Sequence, residues 1–285
     1  MDGVGAWRPA GLLAAPLAAT IWALIVFPYR SYMRGSGPLA LNARRLLYAA
    51  VLSSPAAALK LEPSRDLLFA AASGLFGLWI GDTLYFGAIR RSGPSVAAPV
   101  AYTYIVLSQF AASLLGERLR PEVVTASLIA FAGVVVVSSG EGRAGAAGIA
   151  YALGAALSWV ASVSCIKLAS ESVDFFSIAY ARVAAAALAA WIQLTARGRA
   201  PSPLPPKGWS ALPLIAVLDL VVGGSLFALS IGALGVSPTV VVISLSPAIT
   251  QIYARLTGVE LVGPRKMIGA GLIIAASILV AMRGA

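Results

Sequence analysis

Histidine is absent from all 285 residues, and cysteine occurs once, at Cys165. No disulfide can form within the chain. A Cys/His metal site is excluded, and so is any Ser-His or Cys-His nucleophilic pair. Charge is scarce too: 11% of the residues carry one, where a soluble domain carries about a quarter. Scattered acids without histidine leave little for hydrolysis, so neither enzyme activity nor a cofactor is expected. Cys165 itself reads as a small apolar helix residue.

Apolar side chains fill the space that charge leaves. They make up 59% of the chain, and the mean hydropathy is +0.88. That composition belongs to an integral membrane protein. The net charge of +10 would suggest nucleic acid in a soluble chain. Here the cations lie between apolar runs, where they anchor helix ends and face lipid headgroups, so membrane lipids are the expected partner and nucleic acid is not.

A membrane helix needs about 20 apolar residues. Ten candidates appear, at 11–28, 39–59, 67–89, 94–116, 121–139, 145–166, 175–196, 211–233, 236–257 and 264–282. The second is the weakest, because Asn42, Arg44 and Arg45 sit in its first turns. An arginine at bilayer centre costs roughly 2.5–3.5 kcal/mol on insertion scales; near a helix end it can snorkel to the headgroups. The four prolines of 197–210 read as an exposed loop. An apolar run starts at Gly11, but residues 18–30 are echoed by 155–167, which no cleaved signal peptide would require.

That echo is part of a longer repeat. Trp22 returns as Trp159, Arg30 as Lys167 and Arg45 as Arg182, all at one separation. In the fourth candidate helix Ser95, Tyr102 and Gln109 are spaced by seven; in the ninth, Ser237, Ser244 and Gln251 are spaced by seven as well. The repeats are 11–139 and 145–282, five helices each. An odd number of spans makes the second copy enter the membrane from the opposite side, so the expected fold is all-α, with ten transmembrane helices in two inverted repeats.

The chain resembles the ten-helix, EamA-type members of the drug/metabolite transporter superfamily. The resembling residues are Trp22/Arg30, Trp159/Lys167, Arg45 and Arg182, with "YFGAI" at 85–89, "LLGERL" at 114–119, "LSP" at 245–247 and "GVEL" at 258–261. The resemblance implies secondary transport of small metabolites by alternating access, through a central cavity between the repeats. It implies a multi-pass protein of the cytoplasmic membrane with both termini in the cytoplasm, although more cations then fall on the opposite side. It does not imply a substrate, since members carry amino acids, sugars and nucleotide-linked sugars. One departure is Pro99 in the fourth helix, with no Ser-Pro to match Ser246-Pro247, so the two halves are expected to bend differently. No Gly-Lys-Ser/Thr loop exists, which excludes ATP-driven transport by this chain alone. A lipid translocator is the second reading; a membrane-embedded enzyme is a remoter one. The chain is expected to work as a monomer or homodimer.

Candidate substrate-binding residues follow from polarity inside apolar runs. Side chains seven apart share a helix face, and lipid-facing polar groups are costly. Tyr102 and Gln109, with Ser95 and Ser113, and then Ser244 and Gln251, with Ser237, are therefore expected to face inward, as cavity wall or as glue between helices. Asp82 and Asp219 are acids inside apolar runs, each a functional hypothesis by default: a proton carrier, a cation site, or a partner of arginine. Trp79 shares a helix face with Asp82, Thr83 and Phe86. Trp22 and Trp159 lie deep in their helices, where they line a cavity or pack, and Tyr29 shares the face of Trp22. Tyr85, Ser162 and Ser230 complete the set. Arg45 and Arg182 are expected to anchor helix ends or meet carbonyls, and are the first suspects for an anionic substrate. Glu117 and Glu260 read as charges at helix ends. Gly74, Gly77 and Gly81 form a small face for close packing.

Overall fold

The computed structural model describes residues 4–34, 37–138, 145–199, 210–258 and 262–283. These form ten helices and no strand. In chain order they are α1 (Val4–Arg34), α2 (Pro38–Lys60), α3 (Leu67–Ser92), α4 (Pro94–Ala101 and Tyr104–Leu114) and α5 (Pro121–Val137). Then follow α6 (Ala146–Ala169), α7 (Phe175–Ala196), α8 (Leu212–Leu234), α9 (Val236–Ile243 and Leu245–Thr257) and α10 (Pro264–Arg283). Most of the predicted 197–210 loop, and Glu260 with the end of "GVEL", lie outside the described residues, as do the side chains of Arg30 and Ser95.

Local chemistry sets the helix ends. Proline stands in the first turn of α2, α4 and α5, where a missing N–H costs nothing. Asp174 caps α7, accepting from the backbone N–H of Phe176 at 2.9 Å and of Ser177 at 3.1 Å. Gly93 and Gly235, at φ +75° and +94°, make the sharp joints from α3 to α4 and from α8 to α9, a backbone that other residues rarely adopt. Glu117 caps α9 across the repeats: its carboxylate accepts from Val236 N at 2.7 Å and Ser237 N at 3.1 Å.

Eight helices are long and apolar enough to cross a membrane, and Pro121–Val137 is a shorter apolar helix. The remaining one is α2, whose Asn42, Arg44 and Arg45 were the weak point of the sequence. Large side chains such as Leu13, Phe110, Leu188 and Leu256 are exposed on the outside, as lipid contact requires. The chain is a multi-pass membrane protein.

Helix contacts pair as a twofold relation demands. α1 packs on α8 and α6 on α3; α2 packs on α7 and α5 on α10. Glycine makes the last pair close: a Cβ on Gly133 would stand 2.8 Å from the Gly269 carbonyl, and the reverse also holds. Both α3 and α8 carry a seven-residue π-helical segment, Leu75–Gly81 and Val217–Gly223. Such wide turns expose backbone carbonyls and are common at functional sites.

The absence of Ser-Pro in α4 does not make the halves bend differently. α4 breaks at Tyr102–Thr103 and α9 at Ser244, and Tyr102 and Ser244 are matched in the repeat.

Candidate functional site

Arg45 organises the interior. It sits on α2 and is 4% exposed. One guanidinium nitrogen, Nη1, donates to Asp219 Oδ2 on α8 at 2.8 Å; the other, Nη2, donates to Asp82 Oδ2 on α3. Its Nε donates to Asn42 Oδ1 at 2.8 Å. Asn42 is itself held by donating to the Leu78 carbonyl at 2.7 Å and to Thr83 Oγ1 at 2.9 Å. That carbonyl lies within the π segment of α3. The rings of Tyr29 and Phe86 flank the guanidinium at 5.4 and 5.0 Å.

Arg45 is thus a three-helix clamp and not a helix-end anchor. Its neighbours Asn42, Asp82 and Asp219 satisfy the donors that snorkelling would have given to headgroups. Asp219 also accepts from the Tyr29 hydroxyl at 2.7 Å. The two acids stand together on one guanidinium although they belong to different repeats.

The tryptophans of the repeat buttress the acids. Trp159 Nε1 donates to Asp82 Oδ1 at 3.0 Å, and Trp22 Nε1 donates to the Asp219 backbone carbonyl at 3.2 Å. Each indole packs on the glycine that closes a π segment: a Cβ on Gly81 would stand 2.8 Å from Trp159, and one on Gly223 2.8 Å from Trp22.

Between these groups lies a cavity of about 220 Å³. It is smaller than the ~300–1,000 Å³ pockets of drug-sized ligands, so it suits a compact solute. Trp22, Tyr29, Asp82, Tyr85, Tyr102, Trp159, Ser162 and Asp219 line it, and so do Arg45 and Arg182. Its aromatic wall is centred on Trp159, whose ring lies 5.0 Å from Tyr85, 5.5 Å from Tyr104 and 6.4 Å from Tyr102. Trp22 meets Phe227 edge-on at 5.3 Å.

Five other candidates lie away from this lining. Gln109 is buried between α4 and α9, where it accepts from the Ser237 hydroxyl and donates to the Ser237 carbonyl at 3.3 Å. It joins helices and does not line this cavity. Ser244 donates to its own helix at Val241 O, 2.5 Å away, and Ser230 pairs with Thr239 at 3.0 Å. Trp79 donates to Gln193 Oε1 at 3.0 Å, tying α3 to α7. Gln251 is half-buried on α9, with an Oε1 that finds no partner. The seven-residue stripes do face inward at Gln109, Ser237 and Ser244, but at those levels the interior is a helix contact. Ser113, at the end of α4, is exposed.

Sequence reasoning placed Arg45 at a helix end and used Asn42 only as a weakness of α2. It passed over Tyr104 and Phe227. The available signal was the pairing of a doubtful span rich in cations with two acids in other spans.

A family model described as the EamA-like transporter family matches residues 9–139 and again 146–282. The chain belongs to the EamA-like transporter family. The double match accords with a two-repeat membrane fold. A protein named "Uncharacterized transporter" from Archaeoglobus fulgidus is 25% identical over 178 residues, covering 60% of this chain. The match spans 64% of that relative's own length. "Aromatic amino acid exporter YddG" from Ancylobacter novellus is 29% identical over 209 residues, 59% of this chain and 71% of that protein. A solved structure titled "Crystal structure of protein" superposes with a TM-score of 0.77 at 21% identity, covering 97% of this chain and 98% of that one, a likeness of fold.

Proposed function

We propose that this EamA-like chain is a secondary carrier for compact solutes of amino-acid type, with an aromatic preference, in the cytoplasmic membrane. The observation that carries the reading is the cavity itself. Its aromatic wall of Trp159, Tyr85, Tyr102 and Tyr104 surrounds a floor of opposite charges, Arg45, Asp82 and Asp219. Aromatic faces take a ring, and the charged floor takes polar groups. The same charges disfavour an acyl chain, which counts against lipid translocation. The name of the Ancylobacter relative supports the same solute class.

The mechanism that fits is alternating access by two oppositely inserted repeats. In it, the contacts of α1 with α8 and of α6 with α3 exchange roles as the cavity opens to one side and then the other. The Arg45 bridge spans α2, α3 and α8, so it must rearrange if those helices separate. Both termini lie on the cytoplasmic side in this scheme, and the α5–α6 connection on the other.

Counterflow in proteoliposomes against a metabolite panel tests the function. Exchange of aromatic amino acids above that of empty liposomes is expected. No exchange of any solute of this class would overturn the proposal.

A further inference from the structure

Arg45 and Arg182 occupy the same position in the two repeats, each the eighth residue of its helix, α2 or α7. Their surroundings differ most in one place, the π segment that faces each guanidinium. The third residue of the π segment in α8 is Asp219, which pairs with Arg45. The third residue of the π segment in α3 is Gly77, and it faces Arg182: a Cβ on Gly77 would stand 3.6 Å from Arg182 Nη2. The carboxylate that repeat symmetry would place beside Arg182 is missing.

Arg182 is nonetheless 5% exposed and lines the cavity. Among the described residues it makes one hydrogen bond, donating from Nη2 to Ser162 Oγ at 3.5 Å, and its Nε is buried with no partner there. A guanidinium carries five donors. Among the described residues no carboxylate forms an ion pair with it, since Asp82 and Asp219 both bind Arg45. A buried charge without a counter-ion is costly, and a planar fork suits a carboxylate in particular.

The geometry points to Arg182 as the docking group for a carboxylate carried by the cavity's ligand. The ligand supplies the anion that Gly77 omits. Gly77 and Ser162 keep the approach small-sided, and the ring of an aromatic acid then lies against Trp159 and its tyrosine neighbours. The inference rests on the reading that this cavity receives the cargo, and it narrows the cargo to carboxylates.

The test uses the purified full chain and three probes of one size: phenylacetate, phenylacetamide and phenethylamine. Binding is followed by quenching of tryptophan fluorescence and by calorimetry. Phenylacetate is expected to bind at least about tenfold more tightly than the amide or the amine. Arg182→Gln is expected to remove that preference, and Arg182→Lys to restore part of it. A second variant keeps the arginine: Gly77→Asp, with Ser162→Gly to make room, supplies the missing anion and is expected to abolish phenylacetate binding. Equal binding of acid and amide by the unaltered chain, or no binding of phenylacetate at millimolar concentration, overturns the inference. So does an Arg182→Gln protein that keeps the preference. If phenylacetate binds through Arg182 while amino-acid counterflow fails, the carboxylate site stands and the transport reading falls. If counterflow succeeds and Arg182→Gln leaves its KM unchanged, the site falls alone.

Discussion

Trp159 donates its indole N–H to the Asp82 carboxylate at 3.0 Å, tying α6 to α3. Trp22, its counterpart, reaches only the backbone carbonyl of Asp219, at 3.2 Å. Hydrogen bonds to ionised acceptors contribute about 1.5–3 kcal/mol, against about 0.5–1.5 for neutral ones. Trp159→Phe is therefore expected to lower the melting temperature in detergent more than Trp22→Phe does. An equal loss in both variants would show that the charge on Asp82 contributes nothing through this bond.

Removing the cation at the centre should cost more than removing either acid. Arg45→Met leaves two carboxylates, the buried Asp219 and the half-buried Asp82, without the cation they share. Breaking a buried ion pair this way destabilises by about 3–5 kcal/mol. The triple variant Arg45→Met, Asp82→Asn, Asp219→Asn removes all three charges and is expected to recover most of that stability. Thermal unfolding followed by size-exclusion chromatography reads both; a triple variant no more stable than Arg45→Met would refute the electrostatic account.

Gln109 separates structure from transport. Its bonds run to Ser237 and to the Ile105 carbonyl, not into the cavity. Gln109→Ala is expected to lower stability by about 1–3 kcal/mol, the cost of stranded polar groups, while leaving the KM of a transported solute unchanged. Tyr85→Ala should do the reverse, raising KM at little cost in stability. Kinetics in liposomes at matched protein density distinguish the two.

Gly269→Leu tests the contact between α5 and α10. The new Cβ would stand 2.7 Å from Val137 N and 2.8 Å from the Gly133 carbonyl. Backbone cannot yield as a flexible side chain does, so the helices must part, at a cost of about 1–3 kcal/mol. Lower stability with unaltered solute affinity is expected, because neither helix lines the cavity.

The opposed insertion of the repeats has its own test. Reporters at the N-terminus and in the α5–α6 connection are expected on opposite sides of the membrane. Finding both on one side would remove the basis for alternating access between inverted halves.

Hydropathy and repetition carried most of the architecture. The apolar runs located ten helices because a lipid-spanning helix calls for about 20 apolar residues, even though the cation-bearing α2 and the shorter α5 fall below that measure. The matched tryptophans and arginines marked the repeat. Tryptophan and acid were also legible as candidates for the cavity, since polar groups within apolar runs need an interior. Spacing by seven named an inward face for Gln109, Ser237 and Ser244 without saying what stood opposite it. That depended on which helix packed there, and α4 against α9 left no room for a solute.

Sequence alone determined that this chain spans a membrane as a duplicated helical unit, because composition and period are local properties. Only the tertiary structure decided which charges meet. Arg45 lies 37 residues from Asp82 and 174 from Asp219, and their encounter requires α2, α3 and α8 to converge. The same convergence left Arg182 opposite a glycine, a contrast that no separation along the chain could reveal.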